Sequence, residues 1–181
     1  YLTAELFDIK FAQSADVMYL VHPNHEAMKL SRTDHTSWSL AQVEFTDGPY
    51  LPENSTTTTL TPASSGTGTG VNITASAITG INGGAGFQTT DVGRIISFNS
   101  GKAKITARTN TTVVVCTITT AFANTDATAA FKLGAFSDTT GHPSCVSFFE
   151  QRLVFAGTTD EPQTVYLSLI HISEPTRRTP I

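Results

Sequence analysis

The alternation of apolar and polar residues in the first 45 positions predicts a β-hairpin followed by a third strand. The apolar run at residues 17–21 has the length of a strand and is followed by the polar turn HPNHE, residues 22–26. A second short strand, residues 28–32, leads out of this turn. Trp38 and Leu40 then stand two positions apart, as residues on one face of a strand do.

A similar unit is predicted near the carboxyl end. Residues 148–156, FFEQRLVFA, read as an apolar strand, GTTDEP is a polar turn, and residues 164–167 form the return strand. Two units of strand, Pro-containing turn and strand suggest blades of a repeated all-β architecture such as a propeller.

The stretch between the two units differs from both. Residues 51–70 are rich in Thr, Ser, Gly and Pro and have little apolar content, which is typical of a linker. Residues 71–136 contain five or six short segments of alternating polarity separated by turn residues, which favour a small β-barrel or sandwich. We therefore expect an all-β protein with a propeller-like body interrupted by an inserted small module.

The expected domain organisation has five parts. The two propeller-like parts enclose the linker and the inserted module, and the last residues form a separate tail. The parts are residues 1–50, the linker 51–70, the module 71–136, the second propeller-like part 137–166, and the tail 167–181.

Three segments resemble a family of bacteriophage tail proteins. They are QSADVMYLVHPNHEAMKLSR, the Trp38 strand ending in DGPYLPEN, and GHPSCVSFFEQRLVFAGTTDEPQTVYLS. The resemblance implies a structural part of the virion tail, similar in type to the nozzle or stabilisation proteins that close the tube of short-tailed phages. It also implies a propeller-like body, assembly into a homo-oligomeric ring with other tail proteins, and no catalytic residues to carry over.

The module has a resemblance of its own. DVGRIISF followed by GKAKIT resembles the small β-barrel half-domain, the first catalytic-cysteine half-domain, of ubiquitin-activating enzymes. The resemblance covers this module alone, without the adenylation and thioester machinery of those enzymes. It therefore implies a shape and no activity.

Composition and charge narrow the range of partners. Charged residues make up 14% of the chain, well below the roughly 25% of average soluble proteins, which suits a β-rich virion protein. The net charge is −4 and the 11 Lys and Arg residues are scattered, so we expect no specific binding of nucleic acid. No apolar run approaches the about 18 residues of a membrane span, so we expect no membrane partner.

Histidines and a Ser/His/Asp combination are the first candidates for chemistry. His22, His25 and His35 could be metal ligands, but no Cys or carboxylate stands at ligand-like spacing, so turn and surface roles are favoured and no metal is expected. Asp34, His35 and Ser37 are close in sequence, which does not establish a catalytic triad, and no GxSxG motif occurs.

Other residue types give no stronger site. The Gly-rich GINGGAG lacks the Lys-Ser/Thr of a phosphate-binding loop and is interpreted as a flexible turn. Asp91 and Asp126 are too sparse for the paired carboxylates of a hydrolase. Cys116 and Cys145 could form a disulfide, but two buried free thiols are favoured. We expect no catalytic residues and no cofactor.

The tail has a different character. LSLIHISEPTR, from Leu167 to Arg177, resembles a translated sequencing adapter, so we expect residues 167–181 to be non-native. His171, Glu174 and Arg177 therefore carry no expected role. The opening YLTAELFDIKF has no initiator Met, which predicts a fragment.

Three functional hypotheses follow. The first is a non-enzymatic structural protein of a phage tail that acts through subunit assembly and is located in the virion after synthesis in the bacterial cytoplasm. The second is a host-surface receptor or carbohydrate-binding module, which Thr-rich loops and Trp38 fit loosely, although a core position is favoured for Trp38. The third, with the least support, is a tail-associated hydrolase.

Overall fold

The protein is all-β, with two compact units. A computed structural model describes residues 1–168, and this part of the chain contains thirteen strands, three short 3-10 helices and no α-helix. Unit 1 comprises Tyr1–Val43 with the described part of His142–Ile181, and unit 2 comprises Glu44–Gly141. Within residues 1–168, no helix is long and apolar enough to cross a membrane.

Unit 1 begins with a four-stranded antiparallel meander. A 3-10 helix, Thr3–Glu5, precedes it. The turns between its strands are short, because successive strands are separated by only two residues. The strands, in the order β1-β2-β3-β4, are β1 Lys10–Ser14, β2 Val17–His22, β3 His25–Asp34 and β4 Ser37–Gln42.

The predicted hairpin and third strand are therefore confirmed, with tighter turns than expected. The turn HPNHE shrinks to Pro23 and Asn24, because His22 and His25 pair with each other across the strands. A further strand, β1, precedes the hairpin and starts at Lys10, after the 3-10 helix.

Unit 2 is built on one six-stranded antiparallel sheet that curls into a half-barrel. Its strand order, β10-β7-β8-β9-β6-β5, places the long pair β8 and β9 at the centre. The strands are β5 Leu60–Pro62, β6 Gly68–Ala75, β7 Ile95–Phe98, β8 Gly101–Arg108, β9 Val113–Thr120 and β10 Phe131–Leu133.

The core of unit 2 lies on the concave side of this sheet, where alternate strand positions are buried. Ala103 and Ile105 on β8 and Val114 and Cys116 on β9 are at most 1% exposed. The residues that alternate with them along each strand are more exposed to solvent. This is the one-face-wet pattern expected from the alternating sequence of β8. The core also contains Leu60, Ile73, Ile81, Phe87, Ile96, Phe98, Ile118, Phe122, Phe131 and Leu133.

The segment 51–70 is not an unstructured linker. Leu60 in β5 is fully buried in the core of unit 2, and Asn54 donates to the backbone oxygens of Thr56, Thr58 and Ala129 at 3.0–3.2 Å. One apolar side chain and an asparagine-centred hydrogen-bond network thus order a stretch whose composition is that of a linker. The boundary falls at Val43, earlier than the expected residue 50.

Unit 1 ends with a three-stranded antiparallel sheet. Residues 148–156, expected to form one strand, form a hairpin instead, because Glu150 and Gln151 turn the chain with φ of 46° and 61°. The strands, in the order β11-β12-β13, are β11 Cys145–Phe149, β12 Arg152–Ala156 and β13 Val165–Leu167. The predicted adapter-like tail lies outside the described residues from position 169 onward.

Candidate functional site

The four-stranded sheet of unit 1 has one face covered by apolar side chains. Residues opposite each other on neighbouring strands point to the same side of a sheet. Phe11 lies opposite Leu20, and Leu20 in turn lies opposite Met28. By the same register, the face that we call the open face carries the apolar residues Phe11, Met18, Leu20, Met28, Leu30, Trp38 and Leu40, and the polar residues Gln13, Arg32 and Gln42.

The opposite face of this sheet is packed inside unit 1 at its two inner strands, β2 and β3. Val21 and Ala27, which point away from the open face, are 0% and 3% exposed. The ring of Tyr19 meets the ring of Phe148 edge-on, with centroids 6.0 Å apart. The sheet therefore has an interior face, and its other face is apolar as well.

The open face is accessible to solvent at its outer strands. Phe11 on β1 is 63% exposed, and Trp38 and Leu40 on β4 are 57% and 56% exposed. The expectation that Trp38 lies in the core is wrong. Its indole Nε1 donates to the carbonyl of His35 at 3.3 Å, and the Arg32 guanidinium carbon stands 5.9 Å from its ring centroid.

The strand β4 is an edge of this sheet, since among the described strands it pairs only with β3. All six of its residues are exposed. An edge strand presents unpaired backbone N–H and C=O groups, which other chains can pair with. An exposed edge beside an apolar face is typical of a surface that is covered by another protein.

The structure brings together two of the three histidines. The rings of His22 and His25 have centroids 4.9 Å apart, and the carboxylate Oε2 of Glu5 lies 2.9 Å from His25 Nε2. His35 lies instead in the exposed turn between β3 and β4. The carboxylate that the sequence spacing lacked is thus supplied by the 3-10 helix, 20 residues before His25.

Glu5 is held as a carboxylate. The backbone N–H of Leu2 donates to Glu5 Oε2 at 2.6 Å, and this hydrogen bond, followed by that to His25, lowers the pKa of Glu5 below its ordinary value. Tyr1 packs edge-on against His25 with ring centroids 4.9 Å apart. Partial burial, and then the charge of Glu5, raise the pKa of Tyr1.

The residues Asp34, His35 and Ser37 hold a turn. Asp34 Oδ1 accepts from the backbone N–H of His35 at 2.6 Å, and Thr33 Oγ1 donates to Ser37 Oγ at 2.7 Å. These contacts are local and exposed. They are those of a turn between two strands, in which side chains satisfy nearby backbone groups.

The Gly-rich segment and Asp91 belong to a buried polar network in unit 2. Asp91 Oδ2 accepts from Asn82 Nδ2 and from the backbone N–H of Gln88, both at 2.7 Å. Arg94 Nη1 donates to Asp91 Oδ1 at 3.0 Å, and Arg94 Nε donates to the Gly134 carbonyl at 2.6 Å. The DVGR phrase therefore joins the Gly-rich loop to Gly134, the residue that follows β10.

The two cysteines are free, and their environments differ. Cys116 is buried in the core of unit 2, whereas Cys145 is exposed at the start of β11. The expectation of two buried thiols is thus correct for Cys116 and wrong for Cys145. Burial raises the pKa of the Cys116 thiol to about 12.

Comparison with known proteins does not assign a family. No protein-family model and no curated protein matches this sequence.

Proposed function

We propose that this chain is a non-enzymatic structural component of a bacteriophage tail that acts through subunit assembly at the open face. The observation that carries the proposal is the exposure of Phe11, Trp38 and Leu40 on one side of the sheet in unit 1. The phage context is supported by the resemblance of the segments containing HPNHEAMKLSR and FEQRLVFAGT to tail proteins.

The chemistry of the open face favours a protein partner. Solvent contact with a continuous apolar surface is unfavourable, and its burial contributes roughly 25 cal/mol per Å² of apolar area. Aromatic residues, Met and Arg are enriched at protein–protein interfaces, and this face has Phe, Trp and Met, with Arg32 directly opposite Trp38. The preferred partner is another copy of this chain, arranged with other tail proteins in a ring.

The topology is compatible with a propeller-like body. A propeller blade is a four-stranded antiparallel sheet, and β1–β4 form such a sheet in sequential order. The strands β11–β13 would supply three strands of a second blade. In this proposal, the curled sheet of unit 2 is the inserted module, because Glu44–Gly141 separates the two segments of unit 1.

The charge distribution favours a chain that surrounds DNA without binding it. The net charge of −4 gives DNA no clustered cationic surface to bind, since phosphate contacts require groups of Lys and Arg. A ring of such chains in the virion would let DNA pass without retaining it. No membrane partner is part of the proposal.

A second candidate function is favoured by one observation. Trp38 is 57% exposed, and an exposed aromatic ring can stack on the apolar face of a sugar. Its neighbours on this face are Arg32 directly opposite, and Leu30 and Leu40, rather than the carboxylates and amides that hold sugar hydroxyls. We therefore place binding to a host-surface carbohydrate second. Retention of a glycan by the wild type and its loss in Trp38→Ala would favour that function.

The phage context can be tested without any biochemical assay. Long-read sequencing of the source DNA, from a library made without transposase adapters, would identify the genes beside this one. Neighbouring portal, capsid or other tail genes are the expected result. A neighbourhood of metabolic genes with no virion gene would contradict the tail assignment, while leaving the assembly role of the open face to its own test.

A further inference from the structure

The hairpin between β2 and β3 places two imidazoles side by side. His22 and His25 are directly paired across the strands, with only Pro23 and Asn24 between them. Paired residues of an antiparallel sheet project to the same side with their Cβ atoms about 4.5–5.5 Å apart. The motif H-P-N-H thus becomes a pair of neighbouring rings inclined at 46°.

The 3-10 helix Thr3–Glu5 adds a carboxylate to this pair. Glu5 Oε2 lies 2.9 Å from His25 Nε2. Glu5, His22 and His25 each offer one ligating atom, and these atoms all lie within 4.8 Å of one another. The three groups come from two separate elements of unit 1, so their convergence is a product of the fold.

A buried nitrogen of His22 that has no partner in the described chain indicates a bound ligand. Its side chain is 1% exposed, and its Nδ1 accepts from the backbone N–H of Asn24 at 3.1 Å. Its Nε2 is buried and has no hydrogen-bond partner within residues 1–168. Buried polar atoms are satisfied in almost all proteins, by the chain itself, by water or by a bound ion.

We propose that Glu5, His22 and His25 bind a divalent transition-metal ion of the zinc type. Two imidazoles and one carboxylate are a known donor set for Zn²⁺, with a fourth position left for water. Bonds of about 2.0–2.2 Å hold tetrahedral ligand atoms roughly 3.3–3.6 Å apart, so the longest separation closes by at most about 1.5 Å.

A ring nitrogen must carry no proton to bind the metal ion, so metal binding fixes the tautomer of each imidazole. His25 then exchanges its hydrogen bond with Glu5 for a shared ion. His22 gives up the Asn24 N–H, so a small movement of the Pro23–Asn24 turn accompanies binding.

Titration of the full chain, prepared without a polyhistidine tag, tests the proposal directly. Calorimetry with Zn²⁺ should give one saturable site per chain. Co²⁺ should give visible d–d absorption without a thiolate charge-transfer band. A Cys145→Ser background removes the exposed thiol as a competing ligand. Failure of the Cys145→Ser protein to bind Zn²⁺ saturably, or to give the Co²⁺ spectrum, would overturn the proposal.

Two ligand variants and one control variant test the site. His25→Gln and Glu5→Gln should weaken Zn²⁺ binding by at least about 100-fold, because loss of a direct ligand exceeds the 10–100-fold cost of losing an outer-sphere partner. His35→Gln is the matched control, because it removes an exposed histidine outside the cluster and should leave binding unchanged. Equal binding by all three variants would assign the ion elsewhere and refute the site.

The test still decides the proposal if one ligand variant does not fold. If His25→Gln unfolds, Glu5→Gln and the Co²⁺ spectrum of the Cys145→Ser protein still decide the outcome. The metal site does not depend on the assembly role, since a monomeric chain could bind zinc and an oligomeric one could lack it.

Discussion

Asp91 and Arg94 form an ion pair that is shielded from solvent. Asp91 Oδ1 lies 3.0 Å from Arg94 Nη1, and the two side chains are 0% and 1% exposed. Asn82 Oδ1 accepts from the same Nη1 at 2.7 Å. The pair thus joins the Gly-rich turn to the strands of unit 2.

Arg94→Met is expected to lower the free energy of unfolding by about 3–5 kcal/mol, because it leaves the buried carboxylate of Asp91 without its counter-charge. The Met side chain keeps most of the aliphatic volume, so the loss reports on the charge and its hydrogen bonds to Gly134 and Asn82 rather than on packing. Chemical denaturation followed by circular dichroism measures the change. The partly exposed pair Lys102–Asp47, with Nζ 2.6 Å from Oδ2 and side chains 24% and 52% exposed, supplies the control. Lys102→Met should cost less than about 1 kcal/mol, and equal losses in both variants would show that burial is not the cause.

Gly101 is predicted to tolerate no side chain. A Cβ at Gly101 would overlap the ring of Phe122, which stacks on Phe98 with centroids 4.3 Å apart. Gly101→Ala should therefore destabilise the protein by about 1–3 kcal/mol through overpacking. Gly68→Ala is the matched control, since no heavy atom lies within 4 Å of a Cβ at that strand position. A thermal melt compares the two, and a wild-type melting temperature for Gly101→Ala would contradict this account of the core.

Cys116 and Cys145 should differ in reactivity. Burial raises the pKa of Cys116 to about 12, so near pH 8 almost none of it is thiolate. A thiol-specific chromogenic reagent should modify one cysteine per native chain and two per unfolded chain. Cys145→Ser should abolish the native reaction, whereas a native reaction at Cys116 would disprove its burial.

The raised pKa of Cys116 should also make the protein lose stability at high pH. The unfolded thiol ionises near pH 8.5 and the native thiol only near pH 12. The stabilisation from the native proton is complete below pH 8.5 and is lost as pH rises through 12. Wild-type stability should therefore fall more steeply over this interval than that of Cys116→Ala. Parallel curves would contradict the raised pKa.

Strand positions were predictable from the sequence where apolar residues form a run or alternate regularly. β2 coincides with the apolar run at residues 17–21, and β8 and β9 lie among the short strands predicted within residues 71–136. The turn at Glu150 and Gln151 was missed, because its positive φ angles occur without the Gly or Asn that usually signal such a turn.

The candidate sites were less predictable, because they depend on long-range placement. Glu5 is 17 residues from His22 and lies in a 3-10 helix with no distinctive pattern, so only the fold reveals the cluster. The two-residue spacing of Trp38 and Leu40 correctly places them on one face of a strand, but such spacing does not say which face of the sheet is packed. Leu60 is the opposite case, because it lies in a polar stretch that was expected to be a linker and is fully buried.

Sedimentation velocity over a range of protein concentrations is the most direct test of assembly through the open face. Wild-type protein should self-associate as concentration rises, and Leu40→Lys should remain monomeric because a charge would be buried in the interface. Val165→Lys is the control, since Val165 is 55% exposed, close to the 56% of Leu40, but lies on β13. Self-association of the wild type and Val165→Lys, with loss in Leu40→Lys, is the predicted result. A wild type that stays monomeric throughout, or a Leu40→Lys variant that associates equally well, would contradict the account.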